Sequence, residues 1–303
     1  MLRVTTEPMH AALASAVADA RRGPAGDVTQ VYPALAAVDP ALLTAGVHRL
    51  AGDPVATGHI ESRFILMSVA KPFTLALAVD LHGASRVLAL TGDAPTGLPF
   101  NDPAAITGRP GGLTNPMVNP GAISVASLLT EDAIREGLSR FAGRSLAADA
   151  AMVSAIHATN QRNRLLATLL AERSLLGSGV EEALHLYTFQ SCLGLGVVEL
   201  ARMGGVLAGG GVDPATGERV VSAEAARVAV EAMAVAGLYE ASKAWMASVG
   251  LAAKSGIAGG LVMVAPGVGA LAAYSPGLDP TGNPLRAQHV ARVMAPRLAA
   301  SQG

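Results

Sequence analysis

The chain predicts an α+β fold, in which an antiparallel sheet is assembled from both ends of the sequence, flanked by helices, with a helical lobe inserted between them. Three observations lead there. Short β-type runs, Val47-His48-Arg49-Leu50 and Phe64-Ile65-Leu66, lie near the start; helical segments dominate 124–236; β-type runs return at 260–265 and 270–275. We expect one domain over 1–303 with two lobes, 1–80 together with 215–303 forming the α+β lobe and 81–214 the helical lobe. Of the 303 residues, 51% are hydrophobic and 15% charged, which excludes disorder and provides for a large core.

Each element follows from local signals. Pro8 to Arg22 reads as an Ala- and Leu-rich helix stopped by Gly23. Gly52-Asp53-Pro54 supplies a turn between the first two strands. A helix from Ser68 to His82 ends at Gly83. Residues 84–121, rich in Gly, Pro and Asn, read as mostly loop, and a loop that long suggests function. Helices are expected at Ser124 to Ala142, Ala147 to Leu176, Val180 to Leu207 and Ser222 to Ala236. Pro284 then opens a last helix to about Ala300.

The mean hydropathy of +0.41 is high, so the charge-free stretch Ser255 to Leu278 must be weighed as a membrane span. Pro266, Pro276 and repeated glycines interrupt it, and two strands around a Gly-rich turn fit better. Glu7, His10 and Asp19 fall where a signal peptide needs an apolar core. We therefore expect a soluble, cytoplasmic protein with no membrane partner. The 22 basic and 23 acidic side chains give a net charge of -1, which disfavours nucleic acid. The one cysteine, Cys192, excludes an intrachain disulfide and a cysteine-rich metal site. The seven histidines show no paired spacing, so neither metal nor other cofactor is expected.

Three motifs can carry chemistry. Ser68-Val69-Ala70-Lys71 is an S-x-x-K at a helix start, which places hydroxyl and amine on one face. A buried lysine with a lowered pKa can take the serine proton and activate it as a nucleophile. The amide of Ser68 lies near the positive helix end, suited to a developing oxyanion. Alone, the four residues are a weak signal, better read as a plain serine helix cap. Lys254-Ser255-Gly256, directly before a β run, is a K-[ST]-G triplet of the kind that lines serine acyl-transferase sites opposite S-x-x-K. Its glycine admits close approach to the backbone. The block Asn115-Pro116-Met117-Val118-Asn119-Pro120-Gly121-Ala122-Ile123 offers side-chain amides in a loop. Arg162-Asn163, Tyr187 and Tyr239 add polar groups to apolar segments, and each also has a purely structural reading.

Taken together, these residues resemble the serine-dependent glutaminases, whose fold is that of the β-lactamases and penicillin-binding proteins. The resemblance runs from about Val28 to Arg286. Its further markers are Phe64 to Lys71, Phe100-Asn101, Gln190, Cys192, Gly237-Leu238-Tyr239-Glu240, Tyr274-Ser275-Pro276 and Gly282-Asn283. It implies a β-lactamase/DD-peptidase-like fold and hydrolysis of L-glutamine to L-glutamate and ammonia through an acyl-enzyme on Ser68. Lys71 would be the general base assisted by Tyr187, with Lys254 and Ser255 completing the catalytic set. The amides of Ser68 and Ile257 would hold the oxyanion. Asn119, Asn163, Tyr187, Tyr239 and Ile257 would meet the substrate. The resemblance also implies a homodimer or homotetramer.

The substrate half of the pattern departs from the family. Where the family has a glutamate seven residues before its Arg-Asn asparagine, to meet the substrate's α-ammonium, this chain has Ile156. The family's tyrosine two residues before an N-terminal proline falls on Val31, with Tyr32 shifted by one. Losing the charged partner of a buried ammonium costs on the order of 3 kcal/mol. A serine amidase or esterase acting on another amide is therefore the alternative expectation, with a non-catalytic homologue third. No S-D-N box occurs, which disfavours β-lactamase activity.

Overall fold

The computed structural model describes residues 7–299. Its centre is a five-stranded antiparallel sheet in the order Val55–Gly58, Thr44–Arg49, Gly269–Tyr274, Gly260–Ala265, Ala252–Ser255. The two ends of the chain therefore meet in the middle, where Val47 lies opposite Leu271. The Gly-rich stretch between Ser255 and Leu278 forms two strands and their hairpin, Val264 facing Ala270.

Both faces of the sheet are buried at its three strands 252–255, 260–265 and 269–274, which accounts for the high hydropathy of that stretch. Alternate side chains point to opposite faces of a strand. Val262, Val264, Ala270 and Ala272 thus join the core shared with the helical part, while Leu261, Met263, Leu271 and Ala273 join a second core. The second core is closed by Glu7–Arg22 and Leu285–Ala299 through Leu13, Val17, Val290 and Met294. A strand buried on both faces reads as a continuous apolar run. Among the described residues, no helix is long and apolar enough to cross a membrane.

On the other face lies Val197–Ala208, inside the stretch assigned to the helical lobe, packed on the strands at 44–49, 260–265 and 269–274. Gly204 permits that approach, since a Cβ there would stand 2.6 Å from Ala270 Cβ and 2.7 Å from Val262 Cγ2. Beyond it, Lys71–His82 packs against Asn119–Ala126, Glu131–Ala142 and Ala223–Ala236.

Several expected elements are corrected. Phe64–Ile65 pairs with Gly194–Leu195 in a separate small ribbon, and Val55–Gly58 is the strand after the Gly52-Asp53-Pro54 turn. The segment 84–121 is mostly loop, but it also holds two helices that were not expected, Ala84–Thr91 and Ala104–Thr107. Three long helices are broken. The first divides into Asn119–Ala126 and Glu131–Ala142, the latter capped by Thr130, whose hydroxyl accepts from Ala133 N. The second divides at Asn160 into Ala150–Thr159 and Gln161–Ala171. The third divides into Val180–Ser191 and Val197–Ala208 around the small strand. A helix at Ser242–Val249 was not expected. The end of the last helix at Ala300 lies outside the described residues.

Candidate active site

Ser68 lies on a 3-10 turn, Met67–Ala70, that runs directly into Lys71–His82. In such a turn, residues i and i+3 eclipse one another. Lys71, three residues after Ser68, is the first residue of the α-helix that follows the turn. Met67, the residue before the serine, has φ 46°, a left-handed conformation that is costly for a side chain of this size. Tyr239, at φ 56°, is another non-glycine residue with a left-handed backbone. Both strained positions belong to the site and shape the backbone around Ser68.

Lys71 is buried beneath the serine. Its Nζ donates to Asn119 Oδ1 at 2.8 Å and to the Met117 carbonyl at 3.2 Å. Desolvation by burial lowers its pKa to about 7, so a neutral amine is well populated near neutrality. A neutral lysine has two N–H bonds, and those two acceptors use both. The nitrogen lone pair is left to receive a proton. Burial also raises the Tyr187 pKa, against the opposing effect of the Ser68 hydroxyl, and keeps the phenol protonated. Tyr187 Oη donates to Asn119 Oδ1 at 3.0 Å.

Asn119 is thus the hub of a network that continues outward. Its Nδ2 donates to Asn163 Oδ1 at 3.0 Å, and Asn163 Nδ2 donates to Asn160 Oδ1 at 2.7 Å. Asn119→Ala leaves the Lys71 amine and the Tyr187 hydroxyl each short of a partner. We expect kcat to fall roughly a hundredfold, with a smaller change in KM, because a misplaced base acts chiefly on the chemical step. Steady-state ammonia release measures both; an unchanged kcat would show that the hub positions nothing that matters.

The facing wall is the edge strand Ala252–Ser255 and the turn after it. A Cβ on Gly256 would lie 2.9 Å from Leu66 O and 3.2 Å from Ser68 N, so the absence of a side chain lets the strand close on the Ser68 turn. Neither Ser68 N nor Ile257 N takes part in a turn or loop hydrogen bond. Lys254 is fully buried, donating from Nζ to the carbonyls of Gly237 at 2.9 Å and Ser255 at 2.7 Å. Its ammonium nitrogen stands 4.3 Å from the Tyr239 ring centroid. Desolvation, and then the nearby Lys71, lower its pKa well below the usual value. Ser255 Oγ donates to Asn283 Oδ1 at 2.5 Å. The buried Tyr239 hydroxyl has no partner within hydrogen-bond geometry, although burial raises its pKa and the Ser68 and Ser255 hydroxyls beside it act in the opposite sense.

Between the walls is a cleft of about 170 Å³. Ser68, Asn119, Asn163, Tyr187 and Ile257 all line it, as five of the expected residues. Lys71, Lys254, Ser255 and Tyr239 are buried and do not line it, which corrects the expectation that Tyr239 faces the substrate there; Tyr239 lines a neighbouring pocket with Phe100 and Ser242. Ile156, only 4% exposed, lines it as well. Val31 does not, and that expectation is corrected: Val31 is 62% exposed and Tyr32 lines the cleft instead. The one-residue shift seen in the sequence keeps the phenol in place. Asn160 and Asn283, not singled out as site residues, complete the polar framework; the first ends a helix and the second follows Gly282 in a turn. Burial pushes the Cys192 thiol up to about 12, which removes it as a rival nucleophile. Among the described residues, no group of three or more His, Cys, Asp or Glu is placed to hold a metal ion.

The glutaminase family model matches residues 26–302. The chain belongs to the glutaminase family. Glutaminase 2 of Yersinia pestis is 41% identical over 278 residues, which span 89% of this chain and 82% of that protein. The glutaminase of Brucella canis is 37% identical over 301 residues, 97% of this chain and 95% of its own. The solved structure of a "probable glutaminase ybaS" superposes with a TM-score of 0.91 at 35% identity, covering 95% of this chain and 97% of that one. Mglu in its glutamate form superposes with a TM-score of 0.90 at 32% identity, covering 96% and 69%. These neighbours are glutaminases, whose fold is β-lactamase-like, and the glutaminase described here shares that fold.

Proposed function

We propose that this glutaminase-family chain hydrolyses a side-chain amide, in the first instance that of L-glutamine, through an ester on Ser68. The observation that carries the reading is a serine one 3-10 turn from a buried lysine whose pKa lies near 7. Ser68 Oγ bonds to the amide carbon while its proton passes to the Lys71 lone pair. The amide oxygen becomes an oxyanion between the N–H groups of Ser68 and Ile257. The nitrogen takes a proton from Lys71, the C–N bond breaks, and ammonia leaves. Water, giving a proton to the neutral lysine, then attacks the ester carbon; the carbon–Oγ bond breaks as Lys71 returns that proton to Ser68 Oγ, and L-glutamate leaves. Tyr187, protonated, holds Asn119 and through it the lysine. Lys254, Ser255 and Tyr239 support the strand side of the cleft, where Tyr239 places a hydroxyl near both serines.

The family membership and the glutamate form of Mglu support the reading. We further read the chain as one domain whose cleft lies between an α+β lobe and a helical lobe. We place it in the cytoplasm, as a homodimer or homotetramer. The test is covalent. Rapid acid quench during turnover of L-glutamine, followed by peptide mass mapping, is expected to find a glutamyl ester on the peptide carrying Ser68. An adduct on another residue would move the nucleophile elsewhere.

A further inference from the structure

We propose that the preferred substrate carries no charged α-nitrogen: an N-acylated glutamine, or a plain carbamoyl carboxylate such as glutaramate. This rests on the amide-hydrolase reading above and narrows its substrate class. L-Glutamine brings an ammonium as well as a carboxylate into a cleft, and a buried ammonium needs an anion or free acceptor oxygens.

Among its lining residues the cleft supplies no anion. No aspartate or glutamate lines it, and its one charged lining residue is the cation Arg162, exposed at the rim. Three of its side-chain amide oxygens already accept: Asn119 Oδ1 receives Lys71 and Tyr187, Asn163 Oδ1 receives Asn119, and Asn160 Oδ1 receives Asn163. The unpartnered buried atoms on its wall are the Thr188 hydroxyl and an amide donor. Asn160 Nδ2 is buried on the cleft wall without a partner. An unpaired buried donor favours a ligand that presents an acceptor, such as an acyl or carboxylate oxygen. Beside it the wall is apolar, since Ile156 sits in a cluster with Leu35, Met67, Met152 and Cys192, with Ile257 packed against them. A methyl or methylene suits that surface, whereas an ammonium would be stripped of water there.

Ammonia release from L-glutamine, N-acetyl-L-glutamine and glutaramate, measured side by side with the Ser68→Ala protein as blank, tests the proposal. The better of the two uncharged analogues should exceed L-glutamine in kcat/KM by at least roughly tenfold. A value for L-glutamine within tenfold of that analogue, or above it, overturns the proposal. No Ser68-dependent ammonia from any of the three overturns the amide-hydrolase reading itself, and this proposal with it. In a folded Ile156→Glu protein the preference should move toward L-glutamine by a similar factor, and an unmoved ratio would remove Ile156 from the argument. The parent series decides the question whether or not that variant folds.

Discussion

Replacing Lys71 with methionine is expected to stop turnover and, below neutral pH, to make the protein harder to unfold. The first half follows from the base role: without an acceptor for the Ser68 proton, kcat should fall at least about a thousandfold. The second half follows from burial. Lys71 is 1% exposed and its pKa drops from 10.5 to about 7 on folding. Between those two values the unfolded chain binds more protons than the folded one, so the stability of the parent rises with pH across this window. Below about pH 7 the cost is fully present, on the order of 5 kcal/mol from the size of the shift. Lys71→Met removes it, less about 1–3 kcal/mol for the acceptors left without a donor at Met117 O and Asn119 Oδ1. Urea unfolding at pH 6 and pH 9 should show a clear gain at the lower pH that shrinks at the higher. The parent's kcat/KM should correspondingly rise with pH through about 7 and then level. A variant less stable than the parent at pH 6 would show that the lysine is a structural tether rather than a buried base.

That combination, less stable with the lysine and inactive without it, is what separates a working group from a packing one. The same contrast runs through the site. Met67 and Tyr239 hold left-handed backbone, Lys71 and Lys254 lie wholly inside, and Asn160 keeps a donor unpaired. Each departs from what folding alone would select, and all five stand around one cleft.

The strands at 44–49, 260–265 and 269–274 are legible in the sequence because runs of apolar residues broken by Gly-Asp-Pro and Pro-Gly turns have few other solutions. Ser68, Lys71 and Gly256 are legible because a local spacing carries them: three residues along one helical turn, or one glycine after a lysine and a serine. What local pattern cannot give is contact across the chain. Asn119 meets Lys71 and Tyr187 over separations of 48 and 68 residues, and Ser255 meets Asn283 over 28. The helix break at Asn160 has neither Gly nor Pro to announce it, so Ala147 to Leu176 reads as continuous. Helix Ala84–Thr91 is hidden for the opposite reason, since the Gly and Pro residues after it lend their character to the whole segment. At Val31 and Tyr32 the segment has no periodicity to set its register. Only the fold shows that the phenol, and not the valine, faces the cleft.

Ser68→Ala should reduce kcat by about ten-thousandfold or more, with folding and stability close to those of the parent. Removing one hydroxyl from the cleft wall takes away no core packing. In the proposed mechanism it takes away the atom that forms the ester, so no neighbouring group can substitute through the same intermediate. Cys192 is 0% exposed with its thiol pushed up to about 12, and Ser255 is 0% exposed with its hydroxyl bonded to Asn283. The decisive comparison is with the double variant. If Lys71 acts only by taking and returning the Ser68 proton, then Ser68→Ala/Lys71→Met should be no slower than Ser68→Ala alone, because residues that act as a unit are lost as a unit. A further large loss in the double variant would mean that Lys71 serves the reaction without the serine, for instance by activating water directly on the amide. The pairing read from one 3-10 turn would then be wrong as a mechanism, even though its geometry stands.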